Sequence, residues 1–185
     1  MTEPVQQRYH RLAAAFADTV AAVPADRFES PSPCEEWTAR DVVRHVVDAQ
    51  GMFLGFVSQS LPDDLPSVDD DPVAAFEAAR RTVQAGLEDP DVADAEYEGA
   101  FGTSTFAKAV DTYLCFDLNV HRWDLATAAG LDARIDPGEV PRLRRDTDGF
   151  GDMMRSSGAF GPEVEAPHGA DEQARFLAYL GRRPA

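Results

Sequence analysis

Between Thr105 and Ala129 the apolar residues Phe106, Val110, Tyr113, Leu114, Leu118, Trp123 and Leu125 cover most of the circumference a helix would have. A helix apolar on nearly all sides must be enclosed by other elements, so this stretch predicts the central member of a bundle. The flanking chain supplies the partners. Val5, Tyr9, Leu12, Phe16 and Val20 recur at spacings of three and four and predict a helix over 5–23, closed by Pro24. Ser30-Pro-Ser-Pro-Cys34 cannot be helical, because each proline lacks an N–H and pushes its predecessor towards extended geometry. Thr38 with Asp41 three residues on reads as a capping box opening a second helix, about 39–60, that carries Val42, Val43, Val46 and Val47.

Asp71-Pro72 reads as an N-cap followed by proline at the first helical position, and Val73, Phe76, Val83 and Leu87 give a third helix. Residues 89–104 form a long connection in which Tyr97 or Phe101 adds a short strand or plug. Gly130 is placed to cap the central helix, Asp136-Pro137 opens a fifth helix at about 137–154, Gly161 to Pro167 is extended, and 171–180 forms a short last helix. The expected fold is thus mainly all-α, a four-helix bundle with short extra helices, organised as one domain over 1–185.

Charge narrows the partners. With 33 acidic and 17 basic residues the formal net charge is −16, which repels nucleic acid and anionic membrane surfaces. Residues 61–98 hold 12 acidic against two basic residues, a local balance of −10, so most of the excess belongs to one solvated stretch. No apolar run approaches the roughly 18 residues of a membrane span, and the first residues lack the basic start and apolar core of a signal peptide. The expectation is a soluble cytoplasmic protein, monomer or homodimer. Two cysteines, Cys34 and Cys115, are too few for a disulfide framework and read as buried reduced thiols. The basic residues are 16 Arg and the single Lys108, a bias resembling the codon usage of GC-rich bacteria.

Four histidines are present, and spacing separates them. Asp117 and His121 are four apart on the central helix and project from one face, a metal-compatible pair. His45 lies on the second helix beside the apolar stripe, so part of its face turns into the bundle. Two histidines and one carboxylate suit a divalent ion with open positions left for water or substrate. The competing reading keeps Asp117 and His121 as a simple polar pair and His45 as a partly buried core residue, with Asp48 facing solvent. Asp124, three residues after His121, either accepts a hydrogen bond from a ligating imidazole or pairs with Arg122 or another base. His10 reads as a surface or packing residue and His168 as a loop residue. Arg44 and Arg122 adjoin candidate ligands but point about 100° away from them, and Cys115 lies across the helix from His121. Packing is the plain reading of both Phe116 and Trp123, and it is preferred for Phe116.

Two stretches resemble the signatures of a known family. Pro33-Cys-Glu-Glu-Trp-Thr-Ala-Arg-Asp-Val-Val-Arg-His-Val-Val47 and Asp117-Leu-Asn-Val-His-Arg-Trp-Asp-Leu-Ala126 are similar to the mycothiol-dependent maleylpyruvate isomerase N-terminal domain, a DinB-like metal-binding four-helix bundle. Ser157 to Pro167 and Phe176 to Pro184 resemble a short, stand-alone branch of it. The resemblance implies that His45, Asp117 and His121 ligate a divalent metal ion; the donor set favours zinc before nickel or another first-row ion, with Asp124 and Asp48 as candidates behind the ligands. It also implies mycothiol, a low-molecular-weight thiol of actinobacteria, as cosubstrate attacking a small electrophile. The characterised isomerases use Glu where this chain has Asp117, so the shorter side chain must draw its helix closer or leave a water between. They also carry a further C-terminal domain for which 185 residues have no room. S-transfer to a neutral electrophile is therefore as compatible as isomerisation of an anionic dicarboxylate. Two other classes stay open, a non-catalytic metal- or ligand-binding bundle and a metal-dependent hydrolase using Asp48 or Asp124 as base.

Overall fold

The structure, a computed structural model, describes residues 3–99, 102–156 and 160–184, with the side chains of 149–154 left aside. Four helices make the bundle: α1 (Val5–Ala22), α2 (Ala39–Phe56), α3 (Pro72–Glu88) and the central helix near the chain's middle. The short helix α4 (Pro90–Ala93) follows α3. The central helix runs without a break as α5 (Phe106–Ala109), a π-helical turn (Val110–Leu114) and α6 (Cys115–Ala129). In cross-section α1 packs on α3 and α6, and α2 packs on the same two, which closes a four-membered ring. Phe16, Val43, Phe76, Val83, Leu114 and Leu125 are wholly or almost wholly buried within it.

The all-round apolar character of the central helix has a simple cause. One face belongs to the bundle, and the opposite face, with Phe116, Val120 and Trp123, packs against Ile135, Leu143, Phe160 and Phe176 in a second apolar cluster. That cluster is supplied by α7 (Val140–Ser156), α8 (Glu172–Tyr179) and the segments beside them.

Local signals behave as the residues dictate. Thr38 and Asp41 form the reciprocal capping box of α2, the Asp71 carboxylate accepts from the Ala74 N–H at the start of α3, and Gly130 ends α6 in the left-handed conformation at φ 72°. Two boundaries differ from expectation, and the connection after α3 carries the expected short strand. Helix α2 stops at Phe56, and Ser58 turns left-handed at φ 57°. Helix α7 starts at Val140, because the Asp136 carboxylate accepts from the Gly138 N–H and makes a turn before the helix can begin. The connection after α3 holds α4 and an antiparallel hairpin of β1 (Glu96–Gly99) and β2 (Gly102–Thr105). Tyr97 lies in β1 and stacks on Phe56, while Phe101 lies outside the described residues. No helix among the described residues is long and apolar enough to cross a membrane.

A buried charge cluster fastens α1 to the π-helical turn. The Arg8 side chain has no exposure and donates to the Asp111 carbonyl at 2.6 Å, the Asp111 carboxylate at 3.1 Å and the Glu139 carboxylate at 2.7 Å. Arg11 donates to Glu139 from the next turn of α1, and Arg142 pairs with Asp111. Burial pushes the Glu139 carboxyl up, but the two guanidinium groups outweigh it and hold it below its ordinary value.

At the other end Gly181 ties the chain's last segment to Gly161. Its φ is +86°, and a Cβ there would stand 2.9 Å from the Gly161 Cα and 3.0 Å from the Pro162 carbonyl oxygen. Only glycine permits that approach.

Two consequences are measurable. Because the folded Glu139 pKa lies below the unfolded value, its contribution is full above about pH 4.5 and is lost as pH falls through the depressed folded value. Glu139→Ala should cost about 3 kcal/mol at neutral pH, read by urea denaturation, and should flatten the decline of stability in acid. Gly181→Ala should cost about 2 kcal/mol or more by the same measurement, since it combines left-handed strain with a backbone clash.

Candidate metal centre

Helix α2 contributes His45, and α6 contributes Asp117 and His121 four residues apart on one face. The Asp117 carboxylate stands between the two imidazoles, with Oδ2 3.6 Å from His45 Nε2 and Oδ1 3.9 Å from His121 Nε2. The three ligand atoms all lie within 4.8 Å of one another, which puts a common point within about 3 Å of each. A first-row ion bound at about 2 Å needs only small side-chain adjustments. The imidazole rings meet edge to face at 4.7 Å, and Trp37 lies against both, 4.9 Å from His45 and 6.0 Å from His121.

Behind His121 stands Asp124, whose side chain has no exposure. Its Oδ2 lies 3.0 Å from His121 Nδ1 and receives Arg182 Nη2 at 2.8 Å and the Cys34 thiol at 3.3 Å. Its Oδ1 receives Arg182 Nε at 3.2 Å. Burial pushes the Asp124 carboxyl up, yet the hydrogen bonds and charges of His121 and Arg182 hold it well below the usual carboxylate range. An anionic Asp124 accepts a hydrogen bond from the Nδ1–H of His121, so His121 presents its Nε2 lone pair towards Asp117 and His45. Of the two readings for Asp124, the structure brings it to His121 and to Arg182; Arg122 instead donates to the Arg134 carbonyl.

Cys34, His121 and Asp124 form a second set of ligand-type atoms. There the Arg182 guanidinium already supplies the positive charge, 3.7 Å from the Cys34 sulfur. Burial and the Asp124 charge push the Cys34 thiol up to about 12, so it stays protonated. At His45 burial pulls the imidazole down, while the neighbouring Asp117 carboxylate, with Asp48 adding its charge, leaves it raised. Asp48 itself is exposed, and among the described contacts it reaches His45 through charge alone. His10 and His168 are exposed and far from this chemistry in the chain, and Cys115 is wholly buried.

The trio lines a cavity of about 1070 Å³ whose wall also includes Phe53, Tyr113, Phe116, Phe160 and Leu180. Phe116 therefore packs against Phe160 and also lines the cavity, whereas Trp123 only packs. Cys34 is half-buried on this wall, so the expectation of two simply buried thiols holds for Cys115 alone.

Three residues of the site carried no assigned role in the sequence: Trp37, Cys34 and Arg182. The first two are presented by a tight loop closed by the Pro31–Thr38 bridge and turned by Glu36 at φ 63°. Their signal was a Cys-x-x-Trp held out of helix by two prolines, an odd place for residues that merely pack. Arg182 is 58 residues from Asp124, and no periodicity links the two.

Residues 9–126 match the model of the mycothiol maleylpyruvate isomerase N-terminal domain, a span that includes Cys34, Trp37, His45, Asp117, His121 and Asp124. Uncharacterized proteins from two strains of Mycobacterium tuberculosis are each 30% identical over 176 residues, covering 94% of this chain and 95% of theirs. No solved structure matches significantly. With the match spanning most of the bundle and both stretches that line the site, the chain belongs to the mycothiol maleylpyruvate isomerase N-terminal domain family.

Proposed function

We propose that this protein is a metal- and mycothiol-dependent S-transferase in which His45, Asp117 and His121 hold a divalent ion and the adjoining cavity takes the thiol and a small electrophile. The observation that carries this reading is the convergence of three ligand atoms from two helices in the lining of the cavity, with His121 oriented by a buried carboxylate. A divalent first-row ion, zinc by the character of the donors, would supply a positive charge that turns a thiol into a thiolate near neutral pH.

The chain's own residues do the rest. Asp124, clamped by Arg182, holds the proton on His121 Nδ1 and keeps the imidazole from rotating. Trp37 lies against both imidazoles and limits the approach of water to them. Cys34 stays protonated and does not compete as a nucleophile. The aromatic wall excludes water and orients the electrophile beside the sulfur. In transfer, the sulfur–carbon bond forms as the bond to the leaving group breaks, the leaving group departs with its electron pair, and the thiol proton passes to solvent. Isomerisation would use the same residues, with sulfur adding to an alkene, rotation about the former double bond, and loss of the same sulfur. Two reduced thiols, Cys34 and Cys115, suit a cytoplasmic setting.

Hydrolysis is less well supported. It would require a base beside the ion, and Asp124 is committed to Arg182 and His121 while Asp48 faces solvent.

Purified protein should bind about one equivalent of zinc, and His45→Ala or Asp117→Asn should weaken binding by more than about 100-fold. Asp124→Asn should weaken it by about 10–100-fold, the usual cost of losing the partner of a ligating histidine. Adding mycothiol to the cobalt-substituted protein should produce a sulfur-to-cobalt charge-transfer band. An unchanged cobalt spectrum would overturn the S-transfer reading, and absence of zinc binding by the folded protein would overturn the metal site.

A further inference from the structure

We propose that the electrophile taken by this cavity is a neutral molecule with an aromatic body, rather than a carboxylate-bearing anion. The inference rests on the reading of the cavity as a thiol-transfer site and names the class of its second substrate.

Size comes first. A volume of about 1070 Å³ lies at the upper end of the roughly 300–1,000 Å³ that holds a single small ligand, so a thiol and a second molecule fit together. The lining combines His45, Asp117 and His121 with Cys34, Glu35, Arg182 and Arg183, and its other members are mostly apolar or aromatic. Tyr113, Phe116 and Val120 lie three and four residues apart along the central helix and form a stripe continuous with Asp117 and His121. Phe53 of α2 stands 5.9 Å from Tyr113, and Phe160 stands 5.6 Å from Phe116, ring centre to ring centre. Two tilted aromatic pairs among the lining residues offer aromatic contact to a planar guest.

Apart from the ion that the ligand trio would hold, charge decides against an anion. Arg182 is the buried cation of the lining, and both oxygens of Asp124 engage it, so its positive charge is already neutralised. Arg183 and Glu35, one of each sign, are exposed residues of the lining. Cys34 is a neutral thiol. A carboxylate entering the aromatic part would lose its hydration and meet no unpaired buried cation among the described residues, whereas a neutral ring loses little and gains contact. The chain's net charge of −16 adds a long-range bias in the same direction.

The test compares a matched pair of unreactive probes, methyl cinnamate and cinnamate, by calorimetric titration of the full-length, metal-free protein at neutral pH. The ester should bind at least 10-fold tighter than the anion. Met52 lines the cavity and is 53% exposed, so Met52→Arg should fold normally and should narrow that ratio to under threefold by attracting cinnamate. Phe160→Ala should weaken the ester about five- to tenfold and leave cinnamate unchanged, with the fold checked by circular dichroism. If Phe160→Ala does not fold, Met52→Arg carries the test alone. Equal or tighter binding of cinnamate, or no measurable binding of the ester to the folded protein, overturns the proposal. Neither the ion nor mycothiol takes part in this titration, so its failure is distinguishable from failure of the S-transfer reading. Ester selectivity with an unchanged cobalt spectrum removes only the transfer reading, and a charge-transfer band without ester selectivity removes only the substrate class.

Discussion

One buried carboxylate holds the candidate site together. Asp124 has no contact with water, yet it stays ionised because Arg182, His121 and the Cys34 thiol all direct hydrogen-bonding groups at it. Those partners come from three places: the C-terminal segment, the central helix and the loop before α2. An isolated buried anion would cost several kcal/mol, so the carboxylate is tolerable only when all three segments are docked. The same requirement places Trp37 against the imidazoles and brings Leu180 and Phe160 over the cavity. Fold closure and site formation are therefore one event in this region.

The central helix makes that closure possible by serving two apolar clusters at once. Its bundle face packs with α1, α2 and α3, and its other face packs with α7 and α8. The boundary between the faces is where Asp117 and His121 emerge, at the edge of the bundle and against the wall of the cavity. The π-helical turn just before this stretch is met by Arg8, which takes up the Asp111 carbonyl and carboxylate from α1. A polar fastening at one end of the helix and a polar fastening at Asp124 thus bracket the site.

Much of this was legible in the sequence. Apolar residues at spacings of three and four placed the bundle helices, and the Thr38–Asp41 box, Asp71-Pro72 and Gly130 marked ends that the backbone does adopt. The pairing of Asp117 with His121 followed from helical geometry alone. Less local features were not legible. The Asp136 turn delays α7 by the competition of one side chain with the helix, a contest that composition does not decide. Trp37 and Cys34 sit in a loop whose shape depends on a left-handed Glu36, and no pattern of residue types announces that.

What the sequence determined by itself is the set of elements and the face each presents, because helical periodicity, caps and prolines act within a few residues. It also determined which residue types stand at the site: two imidazoles, one carboxylate between them in the chain, and a second carboxylate one turn beyond. Only the tertiary structure decided that α2 brings His45 to within 3.6 Å of Asp117, and that Arg182 reaches Asp124 across 58 residues. It also decided that aromatic residues from three distant parts of the chain share one cavity wall. The physical reason is that these contacts depend on how separate helices pack and where the last segment docks. Both are set by the sum of many apolar contacts and one buried ion pair, not by any local run of residues.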